Sequence, residues 1–296
     1  MSILISFYKD KLKLKDAKFE LISHEDSLVA IVYKVIKEDG SSYILKICPR
    51  DSDFAVESYF LTYFSDSLLV PRVFEMVGPE SGSYGAILME FLPGNLLHGK
   101  DLTESLAYEL GFLLGKIHLN RAAGYGDVTK PFLLSQNPAA YFTFKFNESL
   151  NECVGHLPDV MLASGRDCLN ASLYLLQNTD GPCIIHRDFR PGNVIVNNGK
   201  IEGIIDWAAA RGGFAEEDLA SLDVEDWSKS RRIKKSFISG YKEVRSLPDY
   251  SSILPILKLS KAIAVIGFTV KTGTWNNKNE SLYKKHFAIL KDLLHR

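Results

Sequence analysis

No apolar run in the 296-residue chain approaches the length of about 18 residues that a membrane-spanning helix needs. The opening Met1-Ser-Ile-Leu-Ile-Ser-Phe7 is apolar but too short for the core of a secretion signal. It also lacks a basic flank and a small-residue cleavage site. A soluble, cytoplasmic protein is the expectation. Cysteine is scarce: Cys48, Cys153, Cys168 and Cys183 are scattered, and no pair has C-x-x-C spacing. This argues against a disulfide framework or a zinc site and for free thiols in a reducing compartment. Neither charge sign is in excess, since 35 Lys and Arg face 36 Asp and Glu for a net −1. That balance speaks against a nucleic-acid protein held by phosphate contacts. Internal repeats and low-complexity segments are also missing.

The composition is that of a globular protein, with 46% hydrophobic and 24% charged residues. The length suffices for one large domain or two lobes with a substantial core. The first ninety residues read as strands. Residues 17–23, 29–36 and 42–48 form three of them, the last two joined by the turn signal Glu38-Asp39-Gly40-Ser41 into a hairpin. A helix is expected over 54–64, capped by Asp51, Ser52 or Asp53. Strands at 72–77 and 84–91 come next. The breaker cluster Leu92-Pro93-Gly94-Asn95 marks a boundary, giving units 1–91 and 92–296. Beyond it, Leu102, Leu106, Leu110, Leu113 and Ile117 form one apolar stripe of a helix. Further helices are expected near 138–150, 159–177, 216–224, 228–245, 253–272 and 279–295. A β-rich island interrupts them at 183–186, 194–197 and 201–205.

That island carries the chemistry. It reads His186-Arg-Asp188, then Asn193, and thirteen residues later Asp206-Trp207 at the end of an apolar strand. Phosphoryl transfer requires such groups: a carboxylate to orient the acceptor hydroxyl, and an amide oxygen with a second carboxylate to hold a cation on the phosphates. Pro191-Gly192 supplies the tight turn between them.

This spaced motif resembles the catalytic and metal loops of the aminoglycoside phosphotransferase and choline kinase-like family, small-molecule kinases of the protein-kinase-like fold. Glu217-Asp-Leu-Ala220 resembles that family's downstream segment. The resemblance implies an α+β, bilobal kinase-like fold, with an antiparallel five-stranded N-lobe carrying one helix and a mainly helical C-lobe. It implies Asp188 as catalytic base, with Arg190 beside it. Asn193 and Asp206 would be the Mg2+ ligands. Lys46, on the third strand, would clamp the phosphates of ATP or GTP in an ion pair with Glu57, eleven residues further on. The hinge falls at Met89-Glu-Phe-Leu92, where backbone groups of Glu90 and Leu92 would meet the nucleobase. Ile205, just before Asp206, is counted with the nucleotide contacts. The phosphate-covering loop Ser23-His-Glu-Asp-Ser-Leu28 has no glycine, departing from a Gly-rich cradle; Ser27 is its candidate phosphate contact. His186 reads as a structural histidine.

Only 11 residues separate Asp206 from Asp218, too few for the peptide platform of a protein kinase. The acceptor is therefore expected to be a small molecule bearing a hydroxyl. Between Asp206 and Asp226 seven acids face one base, Arg211. That run suits a cationic acceptor, with Glu217, Asp223 and Glu225 as candidate contacts. It equally suits a helix start and a metal ligand. Trp207, Trp227 and Trp275 could wall an amine site by cation–π contact or serve as core aromatics. The leading expectation is phosphorylation of an aminoglycoside-like antibiotic or amino-sugar. The alternatives are a metabolic kinase of the choline, homoserine or fructosamine type, and a non-catalytic nucleotide-binding module. No nucleic acid or membrane is expected as partner, and the chain would be a monomer or dimer.

Overall fold

The computed structural model describes residues 2–22, 30–224 and 230–294. Its contacts divide the chain into two compact units. One comprises Met1–Lys116, His186–Arg211 and Ser230–Val244; the other comprises Ile117–Ile185, Gly212–Lys229 and Arg245–Arg296.

The first unit opens with helix α1 (Ser2–Lys11), which the sequence pattern does not announce. Strands β1 (Lys18–Ile22), β2 (Ile31–Ile36) and β3 (Ser42–Cys48) come next, then helix α2 (Asp51–Tyr63) and strands β4 (Val73–Val77) and β5 (Gly85–Glu90). The five strands form one antiparallel sheet in the order β1-β2-β3-β5-β4, as expected.

Strand alternation sends successive side chains of β3 to opposite faces. Leu45 and Ile47 join Tyr33, Val35, Ala86 and Leu88 in a core that Tyr8 of α1 and Leu12, just past its end, close. Tyr8 Oη also donates to the Tyr84 carbonyl at 2.7 Å. Lys46 and Cys48 take the other face. There Phe54 of α2 lies over Gly85 so closely that a Cβ at Gly85 would sit 2.4 Å from the Phe54 ring.

Helix α2 begins three residues earlier than the pattern suggests, and none of Asp51, Ser52 and Asp53 caps it. Arg50 precedes it in extended conformation without a side-chain cap, and Arg50 takes the Asp53 carboxylate in an ion pair at 2.7 Å. Asp51 and Asp53 instead lie in the first turn, where carboxylates suit the helix dipole.

The breaker cluster at 92–95 also starts a strand. β6 (Asn95–Leu96) pairs with β8 (Val194–Asn197), which pairs with β9 (Lys200–Ile204). Gly94, at φ +119°, permits this, since a Cβ there would be 2.3 Å from the Val196 carbonyl oxygen. Helix α3 (Glu104–His118) starts at Thr103, whose Oγ1 accepts from Leu106 N–H at 3.2 Å.

The second unit contains α4 (Pro138–Glu152), α5 (Asp159–Ser172), β7 (Cys183–Ile185), α6 (Ala215–Leu219), α7 (Ser221–Val224) and, from Gly212 on, β10 (Arg211–Gly213). The helix expected over 159–177 ends at Ser172 and continues as a tighter 3-10 segment to Asn178. Helix α8 (Arg231–Val244) belongs to the first unit, while α9 (Leu254–Lys271) and α10 (Glu280–Leu294) return to the second. All four cysteines are free. No helix among the described residues is long and apolar enough to cross a membrane.

Candidate active site

The site assembles within the first unit from four chain segments. The first is β3. Hairpin pairing sets Lys46 opposite Val32 on one side and Ile87 on the other. Its ammonium lies 2.8 Å from Glu57 Oε2 of α2 and 2.8 Å from Asp206 Oδ1. The Lys46–Glu57 pair was expected. The direct bond from Lys46 to Asp206, across 160 positions of sequence, was not. Its only sequence trace is the presence of both residues in the motif.

Burial and charge oppose each other in this trio. Burial disfavours the Lys46 charge, but Glu57 and then Asp206 outweigh it, and the pKa lies above the usual lysine value. Burial also disfavours ionised Asp206; Lys46, His186 and Arg190 together still hold its carboxyl below the usual range. Glu57 moves upward, because its burial prevails over Lys46 and the Ala208 N–H that it accepts.

The second segment is the catalytic loop. The 3-10 turn Pro191–Asn193 brings the Asn193 amide back onto Asp188. Asn193 Nδ2 donates to the Asp188 carbonyl and to Asp188 Oδ2, each at 2.8 Å. Arg190 Nε lies 3.4 Å from the same carboxylate. Asp188 is half-buried, so one flank of its carboxylate is held while the group stays reachable. Phe189 anchors the loop from below, against His186 and Phe237 of α8.

The third segment is the end of β9 together with residues 205–208. Ile205 N–H donates to the Asn193 carbonyl at 2.9 Å, which ties the two candidate cation ligands' segments together. Asp206 itself is in the left-handed region, at φ 66°. Trp207 is fully buried against Phe60 and Phe64 of α2 and against His186, and its Nε1 donates to the Ile204 carbonyl. It is thus a core aromatic and cannot wall an amine site. His186, also fully buried, packs on it at 4.5 Å between ring centroids.

The fourth segment is the hinge. Glu90 N–H is bonded to the Arg72 carbonyl at 2.8 Å, so this donor is not open to a ligand. The Leu92 side chain fills the space over Gly203, where a Cβ would be 2.4 Å from Leu92 Cδ1.

Asn193 and Asp206 fit a magnesium ion on chemical grounds. The Asn193 amide nitrogen donates twice to Asp188, and its oxygen is the acceptor that remains. With the Asp206 carboxylate this makes an all-oxygen donor set, suited to a hard cation that keeps water and phosphate oxygens.

Other expected residues fall elsewhere. Ser27, Glu225 and Trp227 lie outside the described residues. Glu217 and Asp223 belong to the second unit; Tyr250 Oη donates to Asp223 at 3.0 Å. Trp275 packs on His156 and Tyr283 in that unit. There too the buried His118 and Asp218 meet at 3.2 Å.

The Asp188–Asn193 pair, Asp206 and the Lys46–Glu57 pair thus come together within one unit, beside a five-stranded antiparallel sheet. The profile described as the phosphotransferase enzyme family matches residues 28–254, and the chain belongs to that family. Among curated proteins it is 33% identical over 187 residues to a homoserine kinase of Gluconobacter oxydans (strain 621H), covering 60% of this chain and 56% of that one. It is 30% identical over 156 residues to a homoserine kinase of Neisseria meningitidis serogroup B (strain ATCC BAA-335 / MC58), covering 49% and 46%. These matches span about half the length of the curated relatives. In fold, the chain is similar to a thermostable mutant of aminoglycoside phosphotransferase APH(4)-Ia in ternary complex with ADP and hygromycin B. The TM-score is 0.70 at 16% identity, over 98% of both chains.

Proposed function

We propose that this protein transfers the γ-phosphate of ATP or GTP to a hydroxyl of a small molecule, with magnesium. The observation that carries the reading is the Asp188–Asn193 pair. One amide holds the candidate base through two 2.8 Å bonds, and its oxygen, which those bonds do not use, is the atom that would serve the cation. In this reading Asp188 accepts the acceptor's hydroxyl proton. Asn193 and Asp206 hold the cation, which neutralises charge on the phosphates. Lys46, fixed by Glu57, binds phosphate oxygens. Arg190 either steadies Asp188 or meets the transferred phosphate. The Glu90 carbonyl, Leu92 N–H and Ile205 serve the nucleobase, and Ser27 a phosphate. Residues 1–91 would carry the nucleotide and 92–296 the catalytic loop and acceptor.

For the acceptor, the homoserine kinase matches favour a small amino alcohol of the homoserine type. The fold likeness to an aminoglycoside phosphotransferase supports the second reading, an aminoglycoside-like antibiotic or amino-sugar. The test is nucleoside-diphosphate release from ATP and GTP with magnesium, against homoserine, choline, amino-sugars and aminoglycosides. Acceptor-dependent release, absent from Asp188→Asn, supports the reading and names the class. Release that persists in Asp188→Asn removes Asp188 from the base role. Unchanged turnover in Arg190→Ala removes Arg190 from the mechanism.

A further inference from the structure

We propose that Asp206 makes this site discriminate between metal-bound and free nucleotide, by competing with phosphate for Lys46. The inference rests on the nucleotide reading above and concerns what the same carboxylate does when no cation accompanies the phosphates.

Lys46 has two carboxylate partners at the same distance, 2.8 Å, but they are not equivalent. The Glu57 side chain is 2% exposed and is held from a second side by the Ala208 N–H. It cannot leave Lys46 without stranding a buried charge. The Asp206 side chain is 47% exposed and stands at the end of a strand. It is therefore the partner that can exchange. A phosphate oxygen approaching the open side of Lys46 meets the Asp206 oxygen already on the ammonium. It must displace that oxygen or lie beside it, anion against anion.

The other groups that act on Asp206 are His186 and Arg190. Arg190 is engaged with the Asp188 carboxylate at 3.4 Å, so a free polyphosphate must compete with a carboxylate for that cation as well. A divalent cation on the phosphates reverses the sign. The same carboxylate then gains a partner better than Lys46, and the ammonium is released to the phosphate. Asp206 thus penalises free nucleotide and rewards the metal complex, and the discrimination is carried mainly by this half-exposed carboxylate.

The experiment is calorimetric titration of ATP into the wild type and Asp206→Asn, once with excess magnesium and once with a chelator. Adenosine, which has no phosphate, is titrated alongside. Asp206→Ala serves as second variant, and thermal unfolding confirms that each is folded. Glu75→Gln, an exposed acid of β4, controls for net charge. The wild type is expected to bind ATP far better with magnesium. Asp206→Asn and Asp206→Ala are expected to bind metal-free ATP at least about ten-fold more tightly than wild type, since removing one charge a few ångströms from another is worth about five-fold in bulk water and up to about a thousand-fold near a protein surface. Their adenosine affinity stays at the wild-type value, and magnesium no longer helps them. Metal-free ATP binding in both variants no tighter than in wild type overturns the proposal, as does an equal gain in Glu75→Gln. A wild type that binds ATP under neither condition overturns the nucleotide reading itself, a result separable from the first.

Discussion

The indole of Trp207 lies 4.9 Å, centroid to centroid, from the ring of Phe64, one turn along α2 from Phe60, which it also touches. Trp207 comes directly after the candidate cation ligand Asp206, and α2 carries Glu57. One fully buried ring therefore packs the segment that carries Asp206 against the helix that carries Glu57. Trp207→Leu should lower stability by about 3 kcal/mol, within the range for emptying a large aromatic site. Trp207→Phe, which keeps a ring there, should lose less. Denaturant midpoints check the order. If the ring also positions the carboxylates, the KM for nucleotide should rise in Trp207→Leu at temperatures where the variant is folded.

Asp188→Asn keeps the shape of the loop and one acceptor for Asn193 while removing the proton acceptor. Turnover should fall by about 10²–10⁴-fold. Nucleotide affinity, measured directly with magnesium present, should stay within about two-fold of wild type, because Lys46 is held by Glu57 and Asp206 and not by Asp188. A parallel loss of affinity would mean that Asp188 serves binding.

The parts of the site legible in the sequence are those set by short-range geometry. The hairpin turn at 38–41 fixes the register that faces Lys46 to α2, and the segment from His186 to Asn193 closes on itself within a single tight turn. The features that escaped the sequence depend on distant partners. The Lys46–Asp206 contact spans 160 positions. Strand β6 has two residues and exists because β8 pairs with it. Helix α1 takes its role from the sheet face that it covers. Trp207 reads equally as ligand wall or core until Phe60 and Phe64 are seen around it. Asp51 and Asp53 match a cap pattern in the sequence, yet both lie inside the first turn of α2, where Arg50 pairs with Asp53.

Helices α3 and α8 touch through paired glycines. A Cβ at Gly111 would lie 1.9 Å from the Phe237 carbonyl oxygen, and one at Gly240 1.9 Å from the Tyr108 carbonyl oxygen. In an isolated helix alanine is favoured over glycine by about 1 kcal/mol. Here the obstacle is backbone on both sides, which cannot swing aside as a side chain would. Gly240→Ala should therefore destabilise, by about 1–3 kcal/mol as in other overpacked cores. Thermal unfolding checks the sign, and a stabilised Gly240→Ala would show that the two helices can separate at no cost. Because Phe237 also supports Phe189 of the catalytic loop, the loss should appear in turnover as well.

Glu216 gives the second unit a pH dependence of defined sign. Its side chain is almost fully buried, and both carboxylate oxygens accept the same Asp180 N–H, at 2.9 and 3.1 Å. Burial pushes its pKa up to about 7, against that hydrogen bond, with Asp180 and Glu217 adding to the rise. Arg245 pairs with the Asp180 carboxylate. A carboxyl that titrates at about 7 when folded and 4.5 when unfolded binds its proton more tightly in the folded state. Its contribution is fully present below about pH 4.5 and is lost as pH rises through about 7. The difference of 7 − 4.5 = 2.5 units corresponds to about 3 kcal/mol at most. His286, lowered to about 4 by burial, acts in the opposite sense over part of this window. Comparing wild type with Glu216→Gln cancels it, because His286 is common to both. Urea midpoints at pH 5 and pH 8 should show wild type losing stability relative to Glu216→Gln as pH rises. Equal pH dependence in the two proteins would mean that Glu216 ionises in the folded state as readily as in the unfolded chain.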